Sequence, residues 1–190
     1  MVKITGGRWR GQKLTIPKGS KARPTSEKVR QAVFNVLENL VSWEGTRLYD
    51  LYAGSGAYGM EALSRGALHA VFVEAHPKDA QAIRASLTRL EPSRERWEVI
   101  PGKVESWLAR NPILPPAVVL VDPPYALYGD SGYLAGLFEP GKLPPESILV
   151  AEAPHGSENT LPEHLELLAS KRYGDTIVWF LTPRSFADGS

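Results

Sequence analysis

The stretch that decides the reading is Asp50-Leu51-Tyr52-Ala53-Gly54-Ser55-Gly56-Ala57-Tyr58-Gly59. It follows a short apolar-rich segment, Arg47 to Leu51, that reads as a strand, and it opens an apolar, helix-compatible run near residues 57 to 65. Gly54, Gly56 and Gly59 satisfy the spacing G-x-G-x-x-G, which lets a chain turn tightly and approach a ligand with its backbone. Glu74 lies 20 residues beyond Gly54, at the end of the next apolar segment, Ala70 to Glu74. A carboxylate there holds ribose hydroxyls in dinucleotide sites. The glycines alone do not separate a nicotinamide dinucleotide from S-adenosylmethionine. Asp50 favours the second, because a carboxylate beside the turn repels a pyrophosphate and attracts the ammonium group of a methionine moiety.

Outward from this loop, strand-like and helix-like segments alternate. The helix after Pro77 places Ala80, Ile83, Leu87 and Leu90 on one face. Trp97 to Ile100 reads as a third strand and residues 103 to 110 as a short helix. Val118 to Val121 is a continuous apolar run, the mark of a strand covered on both faces. Ser147 to Ala151 reads as a fifth strand, and Leu165 to Leu168 with Thr176 to Leu181 as a closing antiparallel pair. Such alternation predicts an α/β fold with a mostly parallel sheet wrapped by helices, whose ligands sit at the carboxyl ends of the strands.

Asp122-Pro123-Pro124-Tyr125 ends the fourth strand, on the same edge as the glycine loop. An exocyclic amine on a base is a poor nucleophile, because its lone pair is delocalised into the ring. A site that methylates it must accept its N–H groups and aim the lone pair at the methyl group. Asp122 offers a carboxylate, and the carbonyls of Asp122 and Pro123 offer further acceptors. The prolines have no N–H and stiffen the loop. Tyr125 is suited to stacking on the base.

Charge is distributed unevenly. Residues 1 to 30 hold nine Lys or Arg against one acid, a local net of +8 that leaves −7 for the rest of a chain whose total is +1. Residues 2 to 17 read as a hairpin-like arm, with turns at Gly6-Gly7 and Gly11. Residues 18 to 24 are a basic loop, and a helix starts at Thr25 or Ser26, after Pro24. The expected organisation is therefore a basic arm, 1–24, and a larger domain, 25–190. Arg8, Trp9, Arg10, Lys18, Lys21 and Arg23 are the candidates for contact with a polyanion.

Absent chemistry narrows the classes. The chain has no cysteine, which excludes disulfides and thiolate chemistry. His69, His76, His155 and His164 lack metal-ligand spacing, so no metal is expected. No apolar run approaches the roughly 18 residues of a membrane span, and no signal-peptide pattern opens the chain. The expectation is a cytoplasmic monomer.

The chain resembles the RsmD family of bacterial small-subunit rRNA (guanine-N2)-methyltransferases. The resemblance rests on Gly6-Gly7-Arg8-Trp9-Arg10-Gly11, Arg23-Pro24-Thr25, Val29-Arg30, Phe34-Asn35-Val36-Leu37, the loop Asp50 to Gly56, Glu61 to Ala67, Glu74, and Asp122 to Tyr125. The Arg-Pro-Thr segment joined to the Ala-Gly-Ser-Gly loop is far more specific than either motif alone.

The resemblance implies a Rossmann-like class I fold with a seven-stranded sheet, helices on both faces, and a small N-terminal β-hairpin arm. It implies S-adenosylmethionine as cofactor, held by Asp50, Tyr52, Ala53, Gly54, Ser55, Gly56 and Glu74. Ala75, Lys103, Val104 and Asp122 are expected beside it. It further implies a flipped guanine held by Asp122, Pro123, Pro124 and Tyr125, and 16S rRNA in the small ribosomal subunit as partner.

Three positions depart from the family pattern. Tyr52 replaces a Phe, a change expected to be harmless. Ser86 replaces an Asn. Gly102-Lys103-Val104 lacks the polar residue common beside the adenine. N6-adenine methylation, glutamine methylation of a protein, a non-catalytic RNA-binding assembly factor and a nicotinamide oxidoreductase are the competing readings. The basic arm disfavours the glutamine enzymes, intact Glu74 and Asp122 disfavour the assembly factor, and nothing resembling a hydride-handling site supports the oxidoreductase.

Overall fold

The computed structural model describes residues 2–17, 27–91, 93–124, 127, 132–156 and 161–184. Seven strands, β1 (Arg47–Leu51), β2 (His69–Glu74), β3 (Trp97–Pro101), β4 (Ala117–Val121), β5 (Ser147–Pro154), β6 (Leu165–Tyr173) and β7 (Thr176–Pro183), form one sheet in the order β3-β2-β1-β4-β5-β7-β6. β1 to β5 are mutually parallel, and β7 runs antiparallel between β5 and β6. Among the described residues five α-helices accompany it: α1 (Glu27–Leu37), α2 (Ala57–Arg65), α3 (Pro77–Leu90), α4 (Val104–Leu108) and α5 (Tyr133–Leu137).

Alternation along the strands sorts the core into two layers. Leu48, Phe72, Leu120 and Val150 pack with α1, α2 and α3. Tyr49, Val73, Val119, Val121 and Leu149 pack with α4 and α5 on the other face. On β1, β2, β4 and β5 the even positions face α1–α3, and this parity carries Asp50, Glu74, Asp122 and Glu152 to the same side, whereas on β3 the odd residues Trp97 and Val99 face that way.

Several boundaries differ from the sequence reading. β5 runs on to Pro154 because the antiparallel ladder to β7 continues from Ala151 opposite Trp179 to Pro154 opposite Thr176. β6 extends to Tyr173. It is an edge strand with most side chains exposed, so its polar second half gives no alternating signal. α4 is five residues long rather than eight, and α5, also five residues, is too short for periodicity to reveal. The expected cap of α1 at Thr25 or Ser26 lies outside the described residues.

The N-terminal segment pairs with itself and docks on the main core. Lys3 and Lys13 form an antiparallel bridge, and the Ile4 N–H donates to Gln12 O at 3.0 Å and the Leu14 N–H to Val2 O at 2.9 Å. Val2, Ile4, Trp9 and Leu14 are buried in the same core as α1 and α2. At Gly7, φ is +71°, and a Cβ would lie 2.1 Å from the Ser64 carbonyl oxygen, so only glycine lets this turn sit on α2.

Candidate active site

The glycine loop is built as a hinge between β1 and α2. A Cβ on Gly59 would come within 2.2 Å of the Phe72 ring, so the third glycine of the motif serves helix-on-sheet packing. Tyr52 adopts φ +65°, an uncommon conformation for a bulky residue, at the tip of β1. Its hydroxyl, the group by which it departs from the family pattern, donates to Glu105 Oε1 at 2.7 Å and also meets the Tyr133 hydroxyl. Tyr52 thus ties the loop after β1 to the start of α4 and to α5. The Tyr133 phenol is pushed up to about 12 by burial.

Glu74 stands at the carboxyl end of β2. Its Oε2 accepts the Gly54 N–H at 2.7 Å and its Oε1 the His76 N–H at 2.7 Å. The carboxylate is held in one orientation by two loops. Each oxygen keeps a further acceptor site of the kind that adjacent ribose hydroxyls require. Beside it the Gly102 N–H donates to Glu74 O at 3.0 Å. A Cβ added at Gly102 would meet nothing within 4 Å, and Ala75 is exposed. A flat ring has room at this edge, so the residues present fit S-adenosylmethionine.

Lys103 is exposed at the start of α4. Val104 is buried among the α4–α5 core residues, so its backbone rather than its side chain is offered to the cleft. Ser86 is buried, and its Oγ accepts the Thr15 N–H at 3.4 Å, linking α3 to the N-terminal segment.

Asp50 is buried on β1, and its Oδ2 accepts the Gly59 N–H at 2.9 Å. The carboxyl therefore ties the first turn of α2 to the sheet. Burial pushes its pKa up to about 8, and the charges of Asp122 and Glu74 add to the rise, while the Gly59 bond and Arg30 oppose it. An acid so placed stays protonated in the cofactor-free protein near neutral pH. A nearby cation favours its ionised form.

Asp122 follows β4 and is half-buried; Pro123 is buried and Pro124 exposed. The Leu127 N–H donates to Pro124 O at 2.9 Å, closing the turn. Tyr125 lies outside the described residues. Two residues that the sequence reading passed over complete the site. Glu152 on β5 is buried, and Tyr58, in the first turn of α2, donates its hydroxyl to Glu152 Oε1. Burial first, then the charge of Asp122, raises Glu152 to about 8, against the Tyr58 bond. The available signal was an acid closing the apolar run Ile148-Leu149-Val150-Ala151.

The basic candidates fall in different places. Trp9, expected at an RNA surface, is 8% exposed because its ring fills the core against α2, and its main-chain N–H donates to Ser64 Oγ at 2.8 Å. Arg8 stacks over that ring at 4.6 Å and pairs with Glu91, which Arg96 also binds. Arg10 is exposed. Lys18, Lys21 and Arg23 lie outside the described residues. Among the described residues no helix is long and apolar enough to cross a membrane, and no group of three or more His, Asp or Glu could hold a metal ion.

A sheet with an antiparallel β7 inserted between β5 and β6, a glycine loop with Glu74 on one side, and Asp122-Pro123-Pro124 at the next strand end define a Rossmann-like class I S-adenosylmethionine-dependent methyltransferase. The chain matches the family described as Conserved hypothetical protein 95 over residues 2–182 and belongs to that family, the RsmD family. It is 36% identical over 143 residues to Ribosomal RNA small subunit methyltransferase D of Escherichia coli (strain K12), spanning 70% of each chain. It is 32% identical over 174 residues to the protein of the same name from Haemophilus influenzae, spanning 91% of this chain and 89% of that one. The solved structure of the Escherichia coli protein yhhF superposes with a TM-score of 0.78 at 29% identity, covering 96% of this chain and 98% of that one.

Proposed function

We propose that this methyltransferase modifies the exocyclic N2 amine of a guanine in 16S rRNA, within the small ribosomal subunit, as a cytoplasmic monomer. The observation that carries the reading is the placement of Asp122-Pro123-Pro124 at the end of β4, between the cofactor-side acids Glu74 and Asp50 and the acid of β5. The names of the relatives supply the substrate class.

Bound S-adenosylmethionine supplies a methyl group already activated by its sulfonium charge. The protein's task is to orient the amine in line with it. Glu74 would hold the ribose hydroxyls, and backbone groups from Ala53 to Gly56 and at Ala75, Gly102 and Lys103 would line the cofactor. The Asp122 carboxylate and the carbonyls of Asp122 and Pro123 accept the amine N–H groups, because the Pro124 carbonyl is engaged by Leu127. The base, out of its stack, lies against Tyr125, a contact worth about 1–3 kcal/mol.

Residues 3 to 30 form the electrostatic contact with rRNA. Arg10 and the candidates Lys18, Lys21 and Arg23 offset the repulsion between phosphates and the acidic remainder of the chain.

The test is methyl transfer from labelled cofactor to small subunits of a strain lacking the enzyme, followed by nucleoside mass analysis. The expected product is N2-methylguanosine, and Asp122→Ala should slow its formation about a hundredfold while sparing cofactor affinity. N6-methyladenosine as product would overturn the assignment of the base.

A further inference from the structure

Glu152 extends the row of acids one strand beyond Asp122. The β4–β5 ladder pairs Val121 with Ala151, so the next position on each strand brings Asp122 and Glu152 side by side. Parity places both on the face of α1–α3. Glu152 is 7% exposed in a strand that is otherwise apolar from Ile148 to Ala153. Tyr58 reaches it from the first turn of α2, the helix that the glycine loop launches. A buried carboxyl is costly unless it is hydrogen-bonded, and the Tyr58 hydroxyl supplies one such bond.

We infer that Glu152, fixed by Tyr58, is a positioning residue for methyl transfer: it and Asp122 form a carboxyl pair that holds one proton and one negative charge, with the charge on Asp122. The inference rests on the guanine-amine reading of the site. Two adjacent carboxyls in a dry site do not both ionise readily. Of this pair Asp122 is the more exposed, so the charge settles there and the proton on Glu152.

The ionised Asp122 then accepts the amine N–H and keeps the lone pair on line. As the nitrogen lone pair forms the N–C bond, the C–S bond breaks with its electron pair left on sulfur. The N–H bond then breaks with its pair left on nitrogen, and the proton passes to Asp122. Loss of that proton to water resets the pair.

Among the described residues, the groups facing Glu152 include Asp122 beyond β4, Tyr58 of α2 and Asp50 of β1, with Arg30 of α1 acting on Tyr58 and Asp50. When Glu152 itself ionises, the doubled charge drives the two carboxyls apart and the amine loses its aligned acceptor. The rate therefore falls as pH rises through about 8. Glu152→Gln keeps the neutral shape and cannot ionise. Tyr58→Phe removes the hydrogen bond that favours the charged carboxylate, so Glu152 holds its proton to higher pH.

The experiment is single-turnover methyl transfer to small subunits at saturating cofactor, from about pH 6 to about pH 9.5. The wild type should lose rate above about pH 8. Glu152→Gln should show no such loss, its rate staying level through about pH 8 and above, with cofactor affinity unchanged. Tyr58→Phe should move the loss to higher pH, and it decides the matter should Glu152→Gln not fold. A uniform fall in rate with the wild-type profile kept in both variants would reduce the pair to a packing role and overturn the inference. No transfer by the wild-type protein would remove the guanine-amine reading and this inference with it, an outcome distinct from transfer with an unaltered profile.

Discussion

Glu61, buried within α2, accepts both the main-chain N–H of Thr5 at 2.7 Å and its hydroxyl at 2.8 Å, across 56 residues of chain. Arg65 donates to the same carboxylate at 2.8 Å, and Arg30 of α1 lies 3.5 Å away while its guanidinium also reaches the Lys3 carbonyl. One acid thus fastens the N-terminal segment, α1 and α2 together. Removing one partner of a buried charged network strands the others. Glu61→Ala should cost about 3–5 kcal/mol and lower Tm by roughly 10 °C, with Glu61→Gln losing less. Thermal unfolding followed by circular dichroism checks this, and an unchanged Tm would show the network to be dispensable.

Glu74→Ala should weaken cofactor binding about tenfold or more, since charge-assisted hydrogen bonds contribute roughly 1.5–3 kcal/mol. It also strips the Gly54 and His76 N–H groups of their acceptor, so part of the loss reflects a looser loop. Calorimetric titration of the variant with S-adenosylmethionine measures it. Wild-type affinity would refute the role given to Glu74.

Asp50 should make cofactor binding depend on pH. The free protein holds its proton up to about pH 8, whereas an unfolded chain releases it near 3.9. Folding stability should therefore fall as pH rises between these values and level off above them. The cationic cofactor favours the ionised carboxylate, so its affinity should rise with pH up to about 8, by at most about tenfold per pH unit from this one group. Asp50→Asn retains an acceptor for the Gly59 N–H and should flatten much of both trends. Titrations at several pH values, with Tm recorded at each, test both signs.

The arm is best probed by charge rather than by deletion. Removing residues 1 to 20 would also strip Val2, Ile4, Trp9 and Leu14 from the core, at roughly 1.5–3 kcal/mol for each large side chain. Arg10→Ala with Lys13→Ala, both on exposed residues, should leave Tm unchanged and weaken binding to small subunits. The log–log salt slope should fall by about 0.9 for each phosphate that the variant no longer neutralises. Equal affinities and slopes across a salt series would leave the basic segment without a role on RNA.

The local sequence was sufficient for the sheet and for where two of the candidate acids stand in it. β1 and α2 stand where the alternation and the glycine spacing place them. Glu74 and Asp122 stand at their strand ends, because strand parity, turn glycines and a Pro-Pro pair are properties of neighbouring residues. The Trp9 reading went the other way. Basic neighbours suggest a surface residue, but burial depends on which face of α2 the segment meets, and Ser64 decides that.

By itself, then, the sequence determined an α/β fold, a glycine loop after the first strand and an Asp-Pro-Pro at the end of the fourth. Only the tertiary structure decided that Asp50 gives one carboxyl oxygen to α2, that Glu61 locks the arm to the domain, and that Tyr58 and Glu152, 94 residues apart, meet beside Asp122. The physical reason is that spacing along a chain fixes periodicity and turns. The charge, burial and proton affinity of a carboxyl depend on what other strands and helices bring within a few ångströms of it.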